Sequence, residues 1–548
     1  MKQIEIIKTY SQKRCLVVDD VPDIRASLKR TLIDFGSTDV DTAGNAEEAI
    51  DLCRKYQYDI VLADYNLGSA RNGQQLLEEL RYNQLLKNTA LFVMITAETA
   101  GYRVLHALEY QPDDYLNKPI SRESLRPRLD LALLRNEALI KVKEALDEKR
   151  INKAIAACQN VIEEGGKFQN DARKMLGELL CSEQKYSEAL GVYDQLPLNK
   201  QPLWAKLGIA KAMAGIKEFT QAETILKKII QGNNLCIEAY DLLAKIYESQ
   251  HKLSLAQHNL EKAIHMSPIS TVRQRELGRV AESAGDLNAS IHAYRAAVKH
   301  SKNSSLEDPE DYINLANGLT RLATTKPSEA AKLAEEAMEQ VKYLEKKYTK
   351  HPVVHAHSKL VSADIYQLRE EPEKAEQAVE QARNISETFK ISTIEDSPVS
   401  LCINCAKAFM AHGKYDEGEA LLQKIAEVNE DPQLAIEIDK LLREPVTKEG
   451  IQFAAKLNKQ GIEQYQNGNL EEAIRAFQAV LLELPNHVGL NLNLIQALIS
   501  KNKEHSLSEK EIAIIESGFQ RMGELKTNSD YTKRYLYLQK KYQKIVKE

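Results

Sequence analysis

The chain has 548 residues, of which 43% are hydrophobic, 6% are aromatic and 28% are charged, and its formal net charge is −5. This length predicts several domains or a repeat array, and the composition favours helices and argues against an all-β fold. Acidic and basic residues are interspersed without a basic stripe, which argues against nucleic acid as a partner.

Cysteine usage and hydropathy bear on location. The seven cysteines are an odd number and mostly occur singly, a pattern that fits a reducing compartment. The amino terminus has no apolar core of signal-peptide length, and no stretch approaches the roughly eighteen apolar residues of a membrane span. We therefore expect a cytoplasmic protein without a membrane partner.

Strand-like and helical patterns alternate from residue 13 to about residue 135. Apolar runs occur at 15–18, 60–62, 91–95 and 115–116, and helical patterns occur at 24–35, 46–56, 74–82, 102–110 and from 121 onward. Such alternation with short loops predicts an α/β doubly wound fold, in which a five-stranded parallel sheet carries helices on both faces.

Polar residues follow each apolar run. The run at 60–62 leads to Asp64, the first run to Asp19 and Asp20, the third to Thr96, and the last to Lys118. The carboxyl ends of parallel strands share one edge of the sheet, so these side chains are expected to lie together. Three clustered carboxylates repel one another unless a divalent cation neutralises them, which implies Mg²⁺. The metal, the ammonium and the hydroxyl could then hold a phosphoryl group against Asp64 as the nucleophile.

These motifs resemble the receiver domain of two-component response regulators, a flavodoxin-like fold. The matching residues are the acidic pair, Asp64, Thr96 with Ala97 behind it, and the Lys118-Pro119 dipeptide. The resemblance implies that Asp64 is the phospho-acceptor, and that Asp19, Asp20, Asp64 and the backbone carbonyl of Asn66 bind Mg²⁺. It also implies switch roles for Thr96 and Tyr115, and rate-tuning roles for the side chains of Asn66 and Glu98. The loop from 64 to 73 departs from the family because it lacks the usual proline and is one residue longer.

A second pattern begins after the receiver. Small residues such as Ala244 and Ala256 recur twelve positions apart, and the frame repeats when shifted by about 34 residues in either direction. This region resembles a tetratricopeptide solenoid of roughly eight or nine units, all α-helical, because the small residues let paired helices cross closely. The predicted organisation is a flexible lead-in at 1–12, the receiver at 13–136, a first array at 137–303, an irregular helical elbow or distorted repeat at 304–354, a second array at 355–507 and terminal capping helices at 508–548.

Two features of the repeats have competing interpretations. The resemblance implies protein or peptide binding in the groove lined by each unit's first helix, where Lys245, Arg275 and Arg279 form a candidate basic patch. Ordinary solvated charges are the alternative interpretation of these three side chains. Cys402 and Cys405 are spaced like a redox or metal motif, but both take packing positions in a helical pattern.

The junction between the two regions is predicted to be rigid. No glycine occurs from 121 to 147, and apolar residues keep helical spacing, so the last receiver helix is expected to continue into the first repeat helix. Pro127 is the only breaker, and it lies near enough to the start to bend the helix without ending it.

These features together predict a response regulator whose output is protein binding. A histidine kinase or phosphotransfer protein would phosphorylate Asp64, and the receiver would then control the interactions of the repeats. A scaffold or phosphate sink, for which phosphorylation is only a docking signal, is an alternative, and a phosphatase acting on another receiver is a third. No enzymatic activity beyond phosphorylation and dephosphorylation of Asp64 is expected, and homo-oligomerisation is left open.

Overall fold

The structure, a computed structural model, describes residues 10–68, 71–97, 112–196, 201–429, 431–442, 447–502, 507–522 and 530–545. It divides into two compact units, Met1–Leu322 and Ala323–Glu548. No helix among the described residues is both long and apolar enough to cross a lipid bilayer.

The first unit begins with a parallel five-stranded sheet in the order β2-β1-β3-β4-β5. Its strands are β1 Arg14–Val18, β2 Asp39–Ala43, β3 Ile60–Asp64, β4 Leu91–Thr96 and β5 Asp114–Asn117, and the helices between and after them are α1 Pro22–Phe35, α2 Ala46–Lys55, α3 Gly73–Tyr82 and α4 Arg122–Ala138. The predicted doubly wound fold is therefore confirmed. The helix predicted at 102–110 lies outside the described residues.

Alternate residues of the central strands face the two helical layers. Leu16, Val61 and Phe92 pack in the core that includes α2 and α3. Val17 and Leu62, one position along, pack in the core that includes α1 and α4. Successive side chains of a strand point to opposite faces, so the continuous apolar runs of β1, β3 and β4 suit a sheet covered on both sides.

Tyr10 differs from the expected flexible lead-in at 1–12. Its ring is fully buried, lies 5.7 Å from the Phe35 ring between centroids, and its hydroxyl donates a hydrogen bond of 2.9 Å to Asp130 Oδ1. Residues 1–9 lie outside the described residues. The expectation is wrong for Tyr10 because the aromatic ring completes the core between α1 and α4.

The repeats of the first unit follow the sheet directly. Their helices are α5 Ile140–Asp147, α6 Ile151–Glu164, α7 Gln169–Ser182, α8 Tyr186–Asp194, α9 Leu203–Gly215, α10 Phe219–Gly232, α11 Ile237–Ser249, α12 Leu253–Met266, α13 Thr271–Ala284, α14 Leu287–Ser301 and α15 Pro309–Thr325, the last running past the end of the unit. Ala244 and Ala256, the small residues that defined the repeat, are buried at the crossing of α11 and α12. Their burial agrees with the close helix crossing that the repeat pattern predicts.

The second unit is also helical. Its helices are α16 Ala330–Lys347, α17 Pro352–Leu368, α18 Pro372–Ser386, α19 Ile391–Glu395, α20 Val399–Ala411, α21 Tyr415–Val428, α22 Pro432–Leu442, α23 Lys448–Gln466, α24 Leu470–Glu483, α25 Val488–Lys501, α26 Glu509–Arg521 and α27 Asp530–Ile545. Cys402 and Cys405 lie in α20 with both side chains fully buried, and burial raises the pKa of the Cys405 thiol. A reactive cysteine needs an accessible thiolate, so this environment supports the packing interpretation.

The junction has no flexible linker, but its helix is not continuous. Helix α4 runs through Pro127 and ends at Ala138, and α5 begins at Ile140 after the single residue Leu139. The expectation of one uninterrupted helix is wrong at this position. Leu139 is buried in the core of the first repeats, and neither glycine nor proline occurs from 128 to 150 to mark the break.

Candidate functional site

The candidate site lies where β1, β3, β4 and β5 end. Asp19 follows β1, with its side chain fully buried, and its carboxylate accepts a hydrogen bond of 2.9 Å from the Val21 amide. Asp64 is the last residue of β3 and is 5% exposed. The parallel topology carries both carboxylates to the same edge, as the sequence predicted.

Lys118 connects the two buried carboxylates. Its Nζ donates hydrogen bonds of 2.8 Å to Asp19 Oδ2 and 2.9 Å to Asp64 Oδ2. Its backbone amide donates to the Thr96 carbonyl at 2.7 Å, which ties the end of β5 to the end of β4. Burial opposes the charged form of Lys118, but the hydrogen bonds to the two carboxylates prevail and raise its pKa. The site therefore contains a fixed cation beside Asp64.

The carboxylates fit a divalent metal ion. Asp19, Asp20 and Asp64 each place one carboxylate oxygen within 4.8 Å of the others. Within the described part of the chain, Asp64 Oδ1 is buried and has no hydrogen-bond partner. Burial raises the pKa of Asp64, as do Asp19 and Asp20, while Lys118 lowers it. A set of oxygen ligands with an unsatisfied buried oxygen matches the preference of Mg²⁺ for hard donors.

The other residues predicted for the site have different surroundings. Thr96 is fully buried at the end of β4, and Tyr115 on β5 is half-buried against the core beside α2 and α3. Asn66 follows Asp64 by two residues and is exposed. Glu98 lies outside the described residues. Thr96 thus lies at the end of β4 that forms part of the site, and Tyr115 lies on the neighbouring strand β5.

Gly73 and Arg25 support the site without having been predicted. The Gly73 amide donates a hydrogen bond of 2.8 Å to the Tyr65 carbonyl, and a Cβ atom on Gly73 would overlap the carbonyl oxygen of Asp64. Arg25 donates through Nη1 to the Asp19 carbonyl at 2.5 Å. The only signal for Gly73 was a glycine just before a helical pattern, and a lone arginine within a helical pattern gave no signal for Arg25.

The three candidate groove cations are paired with carboxylates. Lys245 Nζ lies 3.7 Å from Glu276 Oε1, and Arg279 forms an ion pair with Glu248. Arg275 forms an ion pair with Asp311 and donates a hydrogen bond of 3.0 Å to the Leu306 carbonyl. Their positive charges are therefore partly neutralised within the chain.

Comparison with known proteins finds one matching segment near each end of the chain. The family model for the response regulator receiver domain matches residues 15–130, and the tetratricopeptide repeat model matches residues 458–509. A chemotaxis protein CheY homolog of Campylobacter jejuni is 30% identical over 118 residues, which is 21% of this chain and 89% of that protein. Chemotaxis protein CheY-3 of Vibrio cholerae is 29% identical over 117 residues, 21% of this chain and 88% of that protein.

A solved structure is similar over the same region. The response regulator TrrA of Thermotoga maritima, in complex with Mg(2+)-BeF, is 32% identical, with coverage of 22% of this chain and 99% of that chain and a TM-score of 0.20. The strand-end acids, the lysine, the receiver model and the relatives lead to one conclusion. The chain belongs to the response regulator family through an amino-terminal receiver domain, and it carries tetratricopeptide repeats after that domain.

Proposed function

We propose that this response regulator accepts a phosphoryl group on Asp64 and thereby controls the protein interactions of its tetratricopeptide repeats. The donor is a histidine kinase or a phosphotransfer protein. The observation that carries the proposal is the pair of hydrogen bonds from Lys118 to Asp19 and Asp64, beside an Asp64 oxygen that has no hydrogen-bond partner among the described residues.

Asp64 acts as the nucleophile in this proposal. A carboxylate oxygen forms a bond to phosphorus as the bond from phosphorus to the donor's imidazole nitrogen breaks, and that nitrogen keeps the electron pair. Lys118, fixed 2.9 Å from Asp64 Oδ2, lies where negative charge develops on the phosphoryl oxygens. A preorganised cation stabilises the transition state because no reorganisation is needed at the moment of transfer.

The metal ligands in this proposal are the carboxylates of Asp19, Asp20 and Asp64 with the backbone carbonyl of Asn66. When bound, Mg²⁺ would neutralise charge on the phosphoryl oxygens. The neighbouring residues orient these ligands: the Val21 amide fixes the Asp19 carboxylate and Lys118 fixes the Asp64 carboxylate. The exposed Asn66 side chain and Glu98 are proposed to tune the rate.

Thr96 and Tyr115 report phosphorylation in this proposal. The Thr96 hydroxyl would bond the new phosphoryl group, and the resulting shift of β4 would move Tyr115, which neighbours Met94 in the β4–β5 register. A local change in charge then alters packing at a distance, as in other switches.

The output region in this proposal comprises two arrays, 137–303 and 355–507, joined by the segment 304–354 and capped by 508–548. Protein or peptide targets would bind in the grooves, as the repeat resemblance implies. Because Lys245, Arg275 and Arg279 each have an acidic neighbour in the chain, an acidic target would have to compete with these carboxylates.

Phosphate uptake tests the proposal. The full chain is incubated with acetyl phosphate and Mg²⁺, and the added mass is measured on the intact protein. Wild type and the control Asp51→Asn, which changes an exposed carboxylate of α2, should take up one phosphoryl group, whereas Asp64→Asn and wild type with a chelator should take up none. Equal labelling of Asp64→Asn and wild type would exclude Asp64 as the acceptor.

A further inference from the structure

A loop of the repeat region contacts the receiver at Arg71. We call residues 302–308, between α14 and α15, the repeat loop. Arg71, just before α3, donates a hydrogen bond of 3.0 Å through Nε to the Asn303 carbonyl, although the two residues are 232 positions apart. Repeat arrays consist of units that contact only their neighbours, so a contact back to the receiver is not required by the repeat architecture.

The repeat loop is itself held in a defined conformation. Asn303 adopts φ 63°, in the left-handed region, and its amide donates to Glu307 Oε2 at 2.5 Å. Tyr312 donates to the other Glu307 oxygen at 2.7 Å. Arg275, which lies on α13, donates a hydrogen bond to the Leu306 carbonyl. A preorganised loop therefore presents the Asn303 carbonyl to Arg71. The hydrogen bond from Arg275 to the Leu306 carbonyl helps to hold this loop in place.

The surrounding surface is polar. A cavity of about 150 Å³ lies between the start of α3 and the repeats, and its lining includes Asn72, Gln75 and Glu78 on one side and Thr271, His300 and Ser304 on the other. A polar cavity of this size can admit several water molecules. Such an interface can separate without exposing a large apolar surface.

Packing at Gly73 links this contact to Asp64. Gly73 is two residues after Arg71, and its amide binds the Tyr65 carbonyl while its Cα lies against the Asp64 carbonyl oxygen. A displacement of residues 64–65 therefore reaches Arg71 through a short, tightly packed path. A hydrogen bond of 3.0 Å tolerates a shift of only about 0.5 Å before it is lost.

The repeats also attach to the receiver at a second place, near the amino end of β4. Asp147, the last residue of α5, accepts hydrogen bonds from the amides and side chains of Asn88 and Thr89, which precede β4. The phosphorylation site lies beyond the other end of β4. The attachment at Asp147 is thus remote from Asp64, whereas Arg71 is two residues from Gly73, which packs against Asp64.

We propose that Arg71, Asn303 and the polar surface around them form a clasp that closes when Asp64 is unmodified and opens when Asp64 is phosphorylated. Opening would free the end of α14 and the repeat loop while Asp147 keeps the first repeat in place. Arg71 then retains Glu47, whose Oε1 lies 3.9 Å from its Nε. The clasp rests on the proposed function and specifies the surface through which phosphorylation reaches the repeats.

Hydrogen exchange of the full chain tests the clasp. Amide exchange over 301–308 is compared with and without acetyl phosphate and Mg²⁺ in wild type, Arg71→Ala and the control Arg54→Ala, which changes an exposed arginine that pairs with Asp51 one turn away. Loss of one hydrogen bond should speed exchange about fivefold. We expect this increase in phosphorylated wild type, in phosphorylated Arg54→Ala, and in Arg71→Ala even before phosphorylation, with no further increase afterwards.

The phosphate added to each sample is measured in parallel by intact mass. If wild type takes up phosphate but exchange over 301–308 is unchanged or slower, the clasp is wrong, while phosphoryl acceptance, the first part of the proposed function, is upheld. If Arg71→Ala exchanges like wild type before phosphorylation, Arg71 does not hold the loop and the clasp is again wrong. If wild type takes up no phosphate, the proposed function fails, and Arg71→Ala alone then decides whether Arg71 holds the loop.

Discussion

Lys118 Nζ lies 2.9 Å from Asp64 Oδ2 and 2.8 Å from Asp19 Oδ2, so one ammonium group bridges the ends of two neighbouring strands. The bridge fixes the Asp64 carboxylate, which we propose as the phosphoryl acceptor, and places a positive charge beside it.

Removal of this cation should slow phosphoryl transfer. Lys118→Ala leaves the developing charge on the phosphoryl oxygens without its fixed partner, and we expect phosphate uptake from acetyl phosphate to slow about 10²-fold. The measurement is the initial rate of mass gain on the intact protein. Lys55→Ala, which changes an exposed lysine at the end of α2, should react at the wild-type rate. A Lys118→Ala rate equal to that of wild type would contradict the role of Lys118.

Thr96 should separate phosphorylation from the response to it. The Thr96 hydroxyl is proposed to bind the phosphoryl group after transfer, so Thr96→Ala should still take up phosphate within about threefold of the wild-type rate. This loss of rate is much smaller than the loss expected when a group that stabilises the transition state is removed. Hydrogen exchange over β5 should change on phosphorylation in wild type but not in Thr96→Ala. Thr42→Ala, in the edge strand β2, serves as the control. A normal β5 response in Thr96→Ala would remove Thr96 from the switch.

The packing of the repeat helices predicts opposite effects on stability when two nearby glycines are replaced by alanine. A Cβ atom on Gly177 would overlap the buried Tyr193 ring, whereas a Cβ atom on Gly191 would meet no atom within 4 Å. Gly177→Ala should lower the free energy of unfolding by about 1–3 kcal/mol through overpacking. Gly191→Ala, inside α8, should raise it by up to about 1 kcal/mol.

Urea unfolding followed by the fluorescence of Trp204 measures both effects. Trp204 is the single tryptophan of the chain, and its ring lies 6.2 Å from the Tyr193 ring between centroids. Equal midpoints for the two variants would show that the helices can separate enough to admit a methyl group at Gly177.

The strand ends were predictable because topology alone brings them together. Once the runs at 15–18, 60–62 and 91–95 are interpreted as parallel strands, Asp19, Asp64 and Thr96 must share one edge. The second strand was harder to locate. Strand β2, Asp39–Ala43, forms an edge of the sheet and contains two aspartates and a threonine, so it lacks the apolar run that identified the others.

Contacts between distant segments could not be predicted. Arg71 and Asn303 meet only because the helices between them return the chain to the receiver, and no local pattern records that path. The same limit applies to Arg275. Its position in the repeat frame predicted a groove-facing cation, but its partners, Asp311 and the Leu306 carbonyl, come from the following irregular loop and helix.

His357 should make the second unit sensitive to acid. Its side chain is 2% exposed, its Nδ1 has no partner within the described residues, and burial lowers its pKa to about 4. The unfolded chain binds a proton near pH 6.5, so between about pH 6.5 and 4 the unfolded state carries more protons than the folded state. Stability is therefore full above this window and falls as the pH is lowered through it, by up to about 3 kcal/mol.

Hydrogen exchange of α17 as a function of pH tests this linkage. After correction for the intrinsic pH dependence of exchange, protection of Pro352–Leu368 should fall from pH 7 to pH 4 in wild type and in the control His351→Gln, an exposed histidine. His357→Leu should lose much of this pH dependence because the buried imidazole whose pKa is lowered is removed. The same pH dependence in His357→Leu would assign the effect to other groups.

Direct identification of the phosphorylated residue tests the central claim most sharply. After incubation of the full chain with Mg²⁺ and a phosphohistidine donor, the acyl phosphate is reduced with borohydride, which converts the modified aspartate to homoserine, and the peptides are sequenced by mass spectrometry. We predict homoserine at position 64, with Asp19 and Asp20 unchanged and with no signal when the metal is chelated. Homoserine at another position, or none in a chain that has gained the mass of a phosphoryl group, would contradict the assignment of Asp64 as the acceptor.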